Sequence, residues 1–488
     1  MRPLACALLA IFHLLLAERG YGAGFEFPDN GTQALGRAGA FTAKADDLTA
    51  IHYNVAGLAR LRGTHLLLDF NMAELSASFT RSGVYPDDSY LDASHQLVTQ
   101  PWSGKPYPTV REKRGINLIP IGGVATDFGL RRFTFAVGGS GPSSVGIRAY
   151  PEEVTLADGT RAPAPQRFDL VDENVIIAFI TFAAAWRPVD WLHVGAAFHW
   201  GISHAIQHLY AVAYMNSTSC RNSEAWACSF KAGTDIWDPW TPTGSLGVLA
   251  RIPRLERLEI GLAFRLPYNT DASGKGSFTL PPALQGFAIE ARGARLQSKM
   301  PYVVRAGARW IFGSLDTERG DVEVDVVYEG WSRVKTFDTT FSTNLGDIEV
   351  TVPHNYKNTV STRIGGAFTL PLGSHKHHRL TLRGGAFYDQ GAAPLEWTRL
   401  DFDAYDRTGF AVGASHAHRG ITVSTAFSYQ FTLPRTVENS KVLPIYAIGE
   451  PPEDAPGLNG RFESRQWILS VGFAMSLDGL RSTSSGRR

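Results

Sequence analysis

The sequence predicts an all-β protein, a transmembrane antiparallel β-barrel of 14 strands with an N-terminal hatch inside the lumen. Three observations support this prediction. The N-terminus has the layout of a secretory signal, apolar and polar residues alternate with period two along most of the chain, and the connections between these alternating segments are short and long in turn. A soluble β-sandwich has no reason to show that alternation of connection lengths over its whole length.

The N-terminus directs the chain out of the cytoplasm. Arg2 precedes an apolar run at 4–17, and the small residues Gly20 and Gly22 follow it. The run is shorter than the roughly twenty residues that span a bilayer, so residues 1–22 are predicted to be a cleavable signal peptide. No later stretch contains eighteen uninterrupted apolar residues, which excludes an inner-membrane helical protein.

Composition favours strands and gives no support to a nucleic-acid partner. The 488 residues include 49 Gly, 28 Phe, 16 Tyr and 11 Trp, and the formal net charge is only +1. Gly and aromatic residues at this level suit the turns and strands of a barrel. A nucleic-acid-binding protein would carry a basic footprint that this charge balance lacks.

Two cysteines remain after removal of the signal peptide. Cys220 and Cys228 are eight positions apart in a polar segment. In an oxidising compartment such a pair is expected to form a small disulfide, and a pair of free thiols is the alternative.

Period-two alternation identifies the strands. The clearest example is 420–432, where apolar residues occupy one face and Thr, Ser and Gln the other, and the pattern recurs at 464–475 and 321–331. Fourteen strands are predicted near 64–80, 115–129, 131–140, 173–187, 191–215, 242–250, 256–268, 300–312, 320–335, 356–370, 378–388, 407–418, 420–432 and 463–475. An even number places both ends of the barrel on the side of the short turns, which is the periplasmic side.

The segment before the first strand is compact and irregular. It reads ALGRAGAFTAKADDLTAIHYNVAGLARL over 34–61, and its exposed apolar residues would be a liability in the periplasm. Residues 23–62 are therefore predicted to form a hatch, or plug, inside the lumen. The barrel is predicted to occupy 63–476, with a polar tail at 477–488.

The hatch sequence resembles a known family. Its ALGRAGAF, ADD and Asn-x-Ala-Gly elements resemble the N-terminal hatch of the long-chain fatty acid outer-membrane transporter family (FadL/TodX, OMPP1). The segments YEGWSRVKTF, NYKNTVSTRIGGAF, LTLRGGAFYDQGAAP and FDAYDRTGFAVGASHAH resemble the C-terminal strands of that family, in the same order.

The resemblance implies passive uptake of hydrophobic molecules across the outer membrane of a Gram-negative bacterium. Long-chain fatty acids are the first expectation, aromatic hydrocarbons on the same scaffold the second, and a non-transporting surface receptor or adhesin the third. The implied partners are the hydrophobic ligand, outer-membrane lipid and lipopolysaccharide, and a monomer is expected. No cofactor, metal or catalytic residue is implied, and no catalytic motif marks a nucleophile.

The family carries an Asn-Pro-Ala turn in the hatch near its ligand. Here Asn54 and Ala56 match that turn and Gly57 follows, but Val55 replaces the proline. Loss of the ring frees φ and restores a backbone donor, so a looser turn is expected at this ligand and hatch site.

Strand alternation places seven charged side chains in the lumen. They are Arg305, Arg309, Glu323, Asp325, Glu329, Arg363 and Arg383. One interpretation is a structural set of mutually neutralising charges under the hatch. The other is that one arginine binds a ligand carboxylate, which a guanidinium matches bidentately.

Two further features concern the barrel wall. Both faces of 175–186 are apolar, which indicates either contact with the hatch or a hydrophobic ligand site. Gly138 and Gly139 lie within the third predicted strand, where glycine can mark a bulge. In the family a kink in this strand opens the wall laterally, so the pair are candidates for a lateral opening, and an ordinary strand end is the alternative.

Two polar motifs are given structural interpretations. SHKHH at 374–378 falls in a short turn and is expected to be solvated rather than to bind a metal. The carboxylates of 401–406 lack the spacing of an EF-hand loop.

Overall fold

The computed structural model describes residues 30–91, 96–113, 115–141, 147–212, 224–281, 289–314, 317–372, 378–446, 455 and 457–478. The predicted signal peptide, Cys220 and all but two residues of the predicted polar tail lie outside these ranges. Among the described residues, no helix is both long enough and apolar enough to cross a membrane.

Fourteen antiparallel strands form a closed barrel. They are β1 Thr64–Arg81, β2 Asn117–Thr126, β3 Phe133–Ser140, β4 Asp172–Val189, β5 Leu192–Val212, β6 Ser229–Arg251, β7 Leu258–Arg265, β8 Val303–Ser314, β9 Thr317–Glu329, β10 Thr359–Pro371, β11 His378–Asp389, β12 Arg407–His418, β13 Ile421–Thr432 and β14 Gly460–Ser476. Each strand pairs with the next. β14 pairs with β1 from His65↔Ser476 to Arg81↔Gly460 and closes the sheet. The prediction of a closed antiparallel barrel of fourteen strands is confirmed.

The two faces of the wall follow the alternation of the sequence. On β13, Val423 and Phe431 are exposed on the outside, whereas Ser428 and Gln430 are buried inside. Successive side chains of a strand point to opposite faces, so the apolar set meets lipid and the polar set meets the lumen.

The long connections contain more strand than the sequence predicts. Residues 229–241, predicted as loop, belong to β6, because Lys231–Trp237 pair with Ser273–Thr279 beyond the end of β7. The further short strands are Ser89–Leu91, Leu97–Thr99, Thr109–Arg111, Ile147–Ala149, Glu153–Thr155, Arg161–Pro163, Asn269–Thr279, Ala291–Lys299, Thr336–Thr343, Gly346–Pro353, Arg435–Val437 and Ile445–Tyr446. Short 3-10 helices lie at Trp226–Cys228, Trp331–Arg333 and Leu395–Trp397.

The N-terminal segment, residues 30–62, has little regular structure. It contains α1 Thr32–Leu35, α2 Ala50–Tyr53 and a 3-10 helix at Val55–Arg60. Most of its side chains are buried, and those of Phe41 and Leu58 are fully so. A segment this short buries its side chains only because the barrel encloses it.

Candidate functional site

The N-terminal segment touches widely separated parts of the wall. The Thr32 backbone N–H donates to Asp69 of β1 at 2.6 Å, and the Asn54 side chain donates to the Val248 carbonyl of β6 at 3.0 Å. The Phe41 N–H donates to Asp325 of β9 at 3.0 Å. Because these strands lie far apart around the barrel, the segment lies in the lumen between them.

Glycines line the wall where the segment approaches it. A Cβ added at any of ten glycines on ten strands would lie within 3.1 Å of an atom of the segment. They are Gly123, Gly138, Gly195, Gly247, Gly261, Gly307, Gly365, Gly385, Gly413 and Gly472. Eight of these pair with one another across neighbouring strands, as Gly195 does with Gly247. We call this set the glycine layer, and it lets the segment contact the backbone of the wall directly.

Asn54 holds the turn at the predicted ligand and hatch site. Its side-chain oxygen accepts from the Ala56 N–H at 3.2 Å, and its amide donates to the Thr42 carbonyl at 2.9 Å as well as to β6. Val55, Ala56 and Gly57 are all buried. The Asn54 side chain thus fixes the turn, in which Val55 stands at the position of the proline in the Asn-Pro-Ala turn that the sequence resembles.

Acidic side chains of β9 bind the segment. The Arg37 guanidinium donates to Asp321 at 2.5 Å and to Glu323 at 3.2 Å, and all three side chains are fully buried. Asp325 accepts from the backbone N–H groups of Phe41 and Thr42, both at 3.0 Å. Two of the predicted luminal charges, Glu323 and Asp325, therefore have a structural partner in the segment.

The other predicted luminal charges face similar partners. Arg309 lies 2.7 Å from Glu259 and 2.8 Å from Asp321, Arg363 lies 2.9 Å from Asp389, and Glu329 accepts from the Trp331 indole at 2.8 Å. Arg383 donates to Gln33 of the segment at 2.6 Å. Arg305 differs, because it lies over the Tyr53 ring at 5.4 Å and borders a pocket.

Three pockets follow one side of the lumen from the long loops to the segment. The loop pocket is lined by Leu209, Ala211, Phe230, Phe341, Ile348 and Ile445. The upper pocket is lined by Val175, Ile177, Ala205, Ile236, Met300 and Phe402. The lower pocket is lined by His52, Tyr53, Asn54, Val55, Arg265 and Arg305. The loop and upper pockets share Gln207 and Thr234, so they adjoin.

The first two pockets are apolar and narrow. Among their described lining residues there is no lysine or arginine, and Glu173 is the sole carboxylate. Their cavity volumes are about 40 and 60 Å³, and that of the lower pocket is about 20 Å³. A single water needs roughly 10–15 Å³ on such a measure, so a larger hydrophobic molecule requires the lining side chains to move apart.

The apolar stretch 175–186 borders both a pocket and the N-terminal segment. Its upper part, Val175 and Ile177, lines the upper pocket, whereas Ala183 and Ala185 pack against the N-terminal segment. Contact with the N-terminal segment is thus confirmed for the lower half of the stretch, and a hydrophobic ligand site at the upper half stays a prediction.

Gly138 and Gly139 are regularly paired on both sides, so no bulge occurs at them. Gly138 pairs with Gly123 and Thr181, and its added Cβ would lie 2.8 Å from the Ile51 side chain. β3 ends just beyond, at Ser140. Along β4, the partner of Phe179 is Ser140 and that of Asn174 is Ile147, and no described residue pairs with 175–178 on that side. Residues 142–146, which follow β3, lie outside the described residues, so the lateral opening at this strand stays a prediction.

The carboxylates of 401–406 pair with bases. Asp401 lies 2.6 Å from His354, and Asp403 lies 3.0 Å from Arg148. Burial raises the pKa of the Asp401 carboxyl, but His354 and Arg399 beside it lower that pKa to about 2. In the part of the chain that the structure describes, no group of three or more His, Cys, Asp or Glu side chains could hold a metal ion. Of SHKHH, His378 alone is described, and it stacks on His418 at 3.9 Å.

Cys228 is buried and disulfide-bonded. Cys220 lies outside the described residues, so the pairing of these two cysteines stays a prediction.

A closed barrel that encloses its own N-terminal segment beside apolar pockets defines a class of protein, the outer-membrane transporters of hydrophobic compounds. The chain belongs to the outer membrane protein transport protein family (OMPP1/FadL/TodX), whose family model matches residues 13–476. It is therefore a protein of the Gram-negative outer membrane, and its family is one of transporters rather than enzymes.

Solved structures share the fold at low sequence identity. A Pseudomonas aeruginosa FadL homologue is 16% identical with a TM-score of 0.72, over 93% of this chain and 100% of its own. The Pseudomonas putida toluene transporter TodX is 14% identical with a TM-score of 0.61, over 93% and 99%. The CymD monoaromatic hydrocarbon channel is 15% identical with a TM-score of 0.61, over the same shares. Comparison with curated proteins gives no match.

Proposed function

We propose that the protein takes up long-chain fatty acids passively, by way of the loop, upper and lower pockets. The observation that carries the proposal is the succession of these pockets, apolar at the outer end and bordered by Arg265 and Arg305 at the inner end. An alkyl chain gains about 0.8 kcal/mol for each buried methylene, and a guanidinium suits its carboxylate. Fatty acids therefore match both ends of the route.

The molecule leaves the lower pocket when the N-terminal segment rearranges. The Asn54 turn forms the inner wall of that pocket, so the segment must move before a ligand can pass it. A lateral exit at β3, with Gly138 and Gly139 as the candidate residues, is the other route that we propose.

Aromatic hydrocarbons are the second candidate class. The absence of lysine and arginine from the described lining of the two outer pockets favours an uncharged ligand there. Two of the structures with the same fold are named for toluene and for monoaromatic hydrocarbons. A receptor or adhesin without transport is the remaining alternative.

Uptake by cells that express the protein tests these proposals. Radiolabelled oleate and toluene are supplied separately, with heat-modifiable migration as the check of folding. Uptake of oleate supports the fatty-acid proposal, uptake of toluene alone supports the second class, and uptake of neither by the folded protein supports the receptor.

Ala56→Trp tests the place of the hatch turn on the route. Ala56 is fully buried against the wall, so the indole must displace the turn and obstruct the lower pocket. We expect uptake to fall at least about tenfold, which corresponds to roughly 1.4 kcal/mol in the barrier. Ala184→Trp on the lipid face of β4 is the matched control and should transport normally. Normal uptake by a folded Ala56→Trp variant would show that the ligand does not pass the turn.

A further inference from the structure

A layer of aromatic side chains separates the upper pocket from the lower one. On β4, Ile177 lines the upper pocket, and Phe179 is the next inward-facing residue. Between β7 and β8 the order is the same, because Tyr268 lies between Arg265 of the lower pocket and Thr270 of the upper one. Phe179 and Tyr268 therefore lie at the level between the two pockets.

The rings of this layer touch edge to face. The Phe179 centroid lies 5.5 Å from that of Tyr268 and 5.8 Å from that of His199. Phe179 and Tyr268 are only 5% and 4% exposed, so both rings are closely packed by their neighbours. Packed rings at this level are consistent with two separate pockets, one above and one below them.

The members of the layer differ in how firmly they are held. His199 is fixed at both ring nitrogens, to Thr181 at 2.8 Å and to Ser245 at 2.9 Å. Phe179 has no polar atom and is held by packing alone. Its ring occupies the space that a side chain at Gly201 would take, since a Cβ there would lie 2.7 Å from the Phe179 Cε1 atom. Phe179 is therefore the member that can move without breaking a hydrogen bond.

We propose that Phe179, packed on Tyr268, is the constriction that sets the largest cross-section able to pass from the upper to the lower pocket. Rotation of the Phe179 ring joins the two pockets, and the size of the side chain at this position determines which hydrophobic molecules cross. This inference rests on the proposed transport function and assigns a specificity-determining residue to it.

Substitutions of different size at 179 test the inference in proteoliposomes that contain the full-length protein. Uptake of oleate, whose chain is thin, is compared with uptake of naphthalene, whose fused rings are wide. Phe179→Trp should lower uptake of both by at least about tenfold, because a larger ring fills the constriction. Phe179→Ala should raise the ratio of naphthalene to oleate uptake about fivefold or more, since the wider solute meets the greater obstacle in the native protein.

Control variants distinguish the loss of a constriction from a general defect in folding or transport. Phe182→Trp and Phe182→Ala change the same residue type on the lipid face of β4 and should leave both rates unchanged. Phe179→Leu retains an apolar contact and replaces Phe179→Ala if the latter does not show heat-modifiable migration. It should raise the same ratio to a smaller extent.

The outcomes distinguish failure of the transport proposal from failure of the constriction. Uptake of neither solute by the folded native protein overturns the transport proposal, and the constriction with it. If the native protein takes up the solutes, and the folded Phe179 variants do so at the same rates and with the same ratio of naphthalene to oleate, the constriction is overturned but transport is not. Loss of uptake in Phe179→Trp with the expected ratio change in Phe179→Ala or Phe179→Leu supports it.

Discussion

The N-terminal segment meets the barrel differently on its two sides. Towards β7 and β9, Arg37, Lys44 and Arg60 form ion pairs with carboxylates of the wall. Towards β1 to β4, Leu48 and Ile51 pack in one cluster with small apolar residues of the wall. The first side is held by ion pairs. The second is held mainly by apolar contacts, which tolerate small displacements, together with the hydrogen bond from the Thr32 N–H to Asp69 of β1.

This difference indicates where the segment is anchored. A buried charge that loses its partner costs about 3–5 kcal/mol, whereas an apolar contact that shifts loses only part of its burial. We therefore expect the segment to stay attached at β9 and to move first along β1 to β4. The variants below test that asymmetry.

Arg37→Met should have the largest effect. It leaves Asp321 and Glu323 without the guanidinium that bridges them, at a cost of about 3–5 kcal/mol in docking of the segment. We expect a higher single-channel conductance in planar bilayers, because the segment no longer fills the lumen. Lys44→Met, at a less buried cation, should raise it less. Equal conductance of all three proteins would show that the charged side is not the anchor.

Ile51→Ala should have a smaller effect. Removing a buried apolar side chain costs about 2–4 kcal/mol, and this site lies on the side that we expect to move. Short openings should become more frequent, without the sustained rise in conductance of Arg37→Met. Ile180→Ala on the lipid face of β4 is the control. A sustained rise in Ile51→Ala would reverse the proposed asymmetry.

Acid should tighten the docked segment slightly. Burial raises the pKa of the Asp47 carboxyl from its ordinary value of 3.8 to about 6. Between about pH 4 and 6, the protein with its segment docked then binds more protons than the protein with its segment released. The free energy of docking therefore becomes more favourable as the pH falls, by about 1–3 kcal/mol in total. Thiol labelling of a cysteine introduced in the segment should slow from pH 7.5 to pH 5. Asp47→Asn should flatten this dependence, and a dependence that persists would assign it to another group.

Removal of the disulfide should have the smallest effect on conductance through the lumen. Cys228 lies just before β6, at the outer end, far along the chain from the segment. Cys228→Ser should cost the loop about 2–3 kcal/mol and leave conductance unchanged. If the predicted pair exists, Cys220 and Cys228 of the native protein react with a thiol reagent only after reduction. Labelling of both without reductant would contradict the pairing.

Much of the wall could be predicted from the sequence, because strand alternation is local. Most predicted strands match the observed bounds within three residues, as at 407–418. β6 was missed at its outer end because residues 229–241 are rich in Asp, Trp, Pro and Thr and do not alternate cleanly. Their strand conformation depends on pairing with Ser273–Thr279, which no local pattern reveals.

The site was less predictable, because its contacts join distant parts of the chain. The inward direction of Glu323 and Asp325 follows from alternation. Their partners, Arg37 for Glu323 and the Phe41 and Thr42 N–H groups for Asp325, are almost three hundred residues away. The glycine layer was missed for a similar reason. In the sequence, each of these glycines occupies an inward-facing position near the middle of its strand. They can be recognised as one layer only when the pairing of neighbouring strands is known.

The glycine layer also determines how wide the barrel becomes when the segment leaves. Ten strands carry no side chain into the lumen at that level, so the backbone itself forms the surface there. The width of the lumen at this level is therefore set by the wall backbone and not by side chains of these ten strands. If the segment leaves the lumen, as we propose, the opening needs no change in strand number or register.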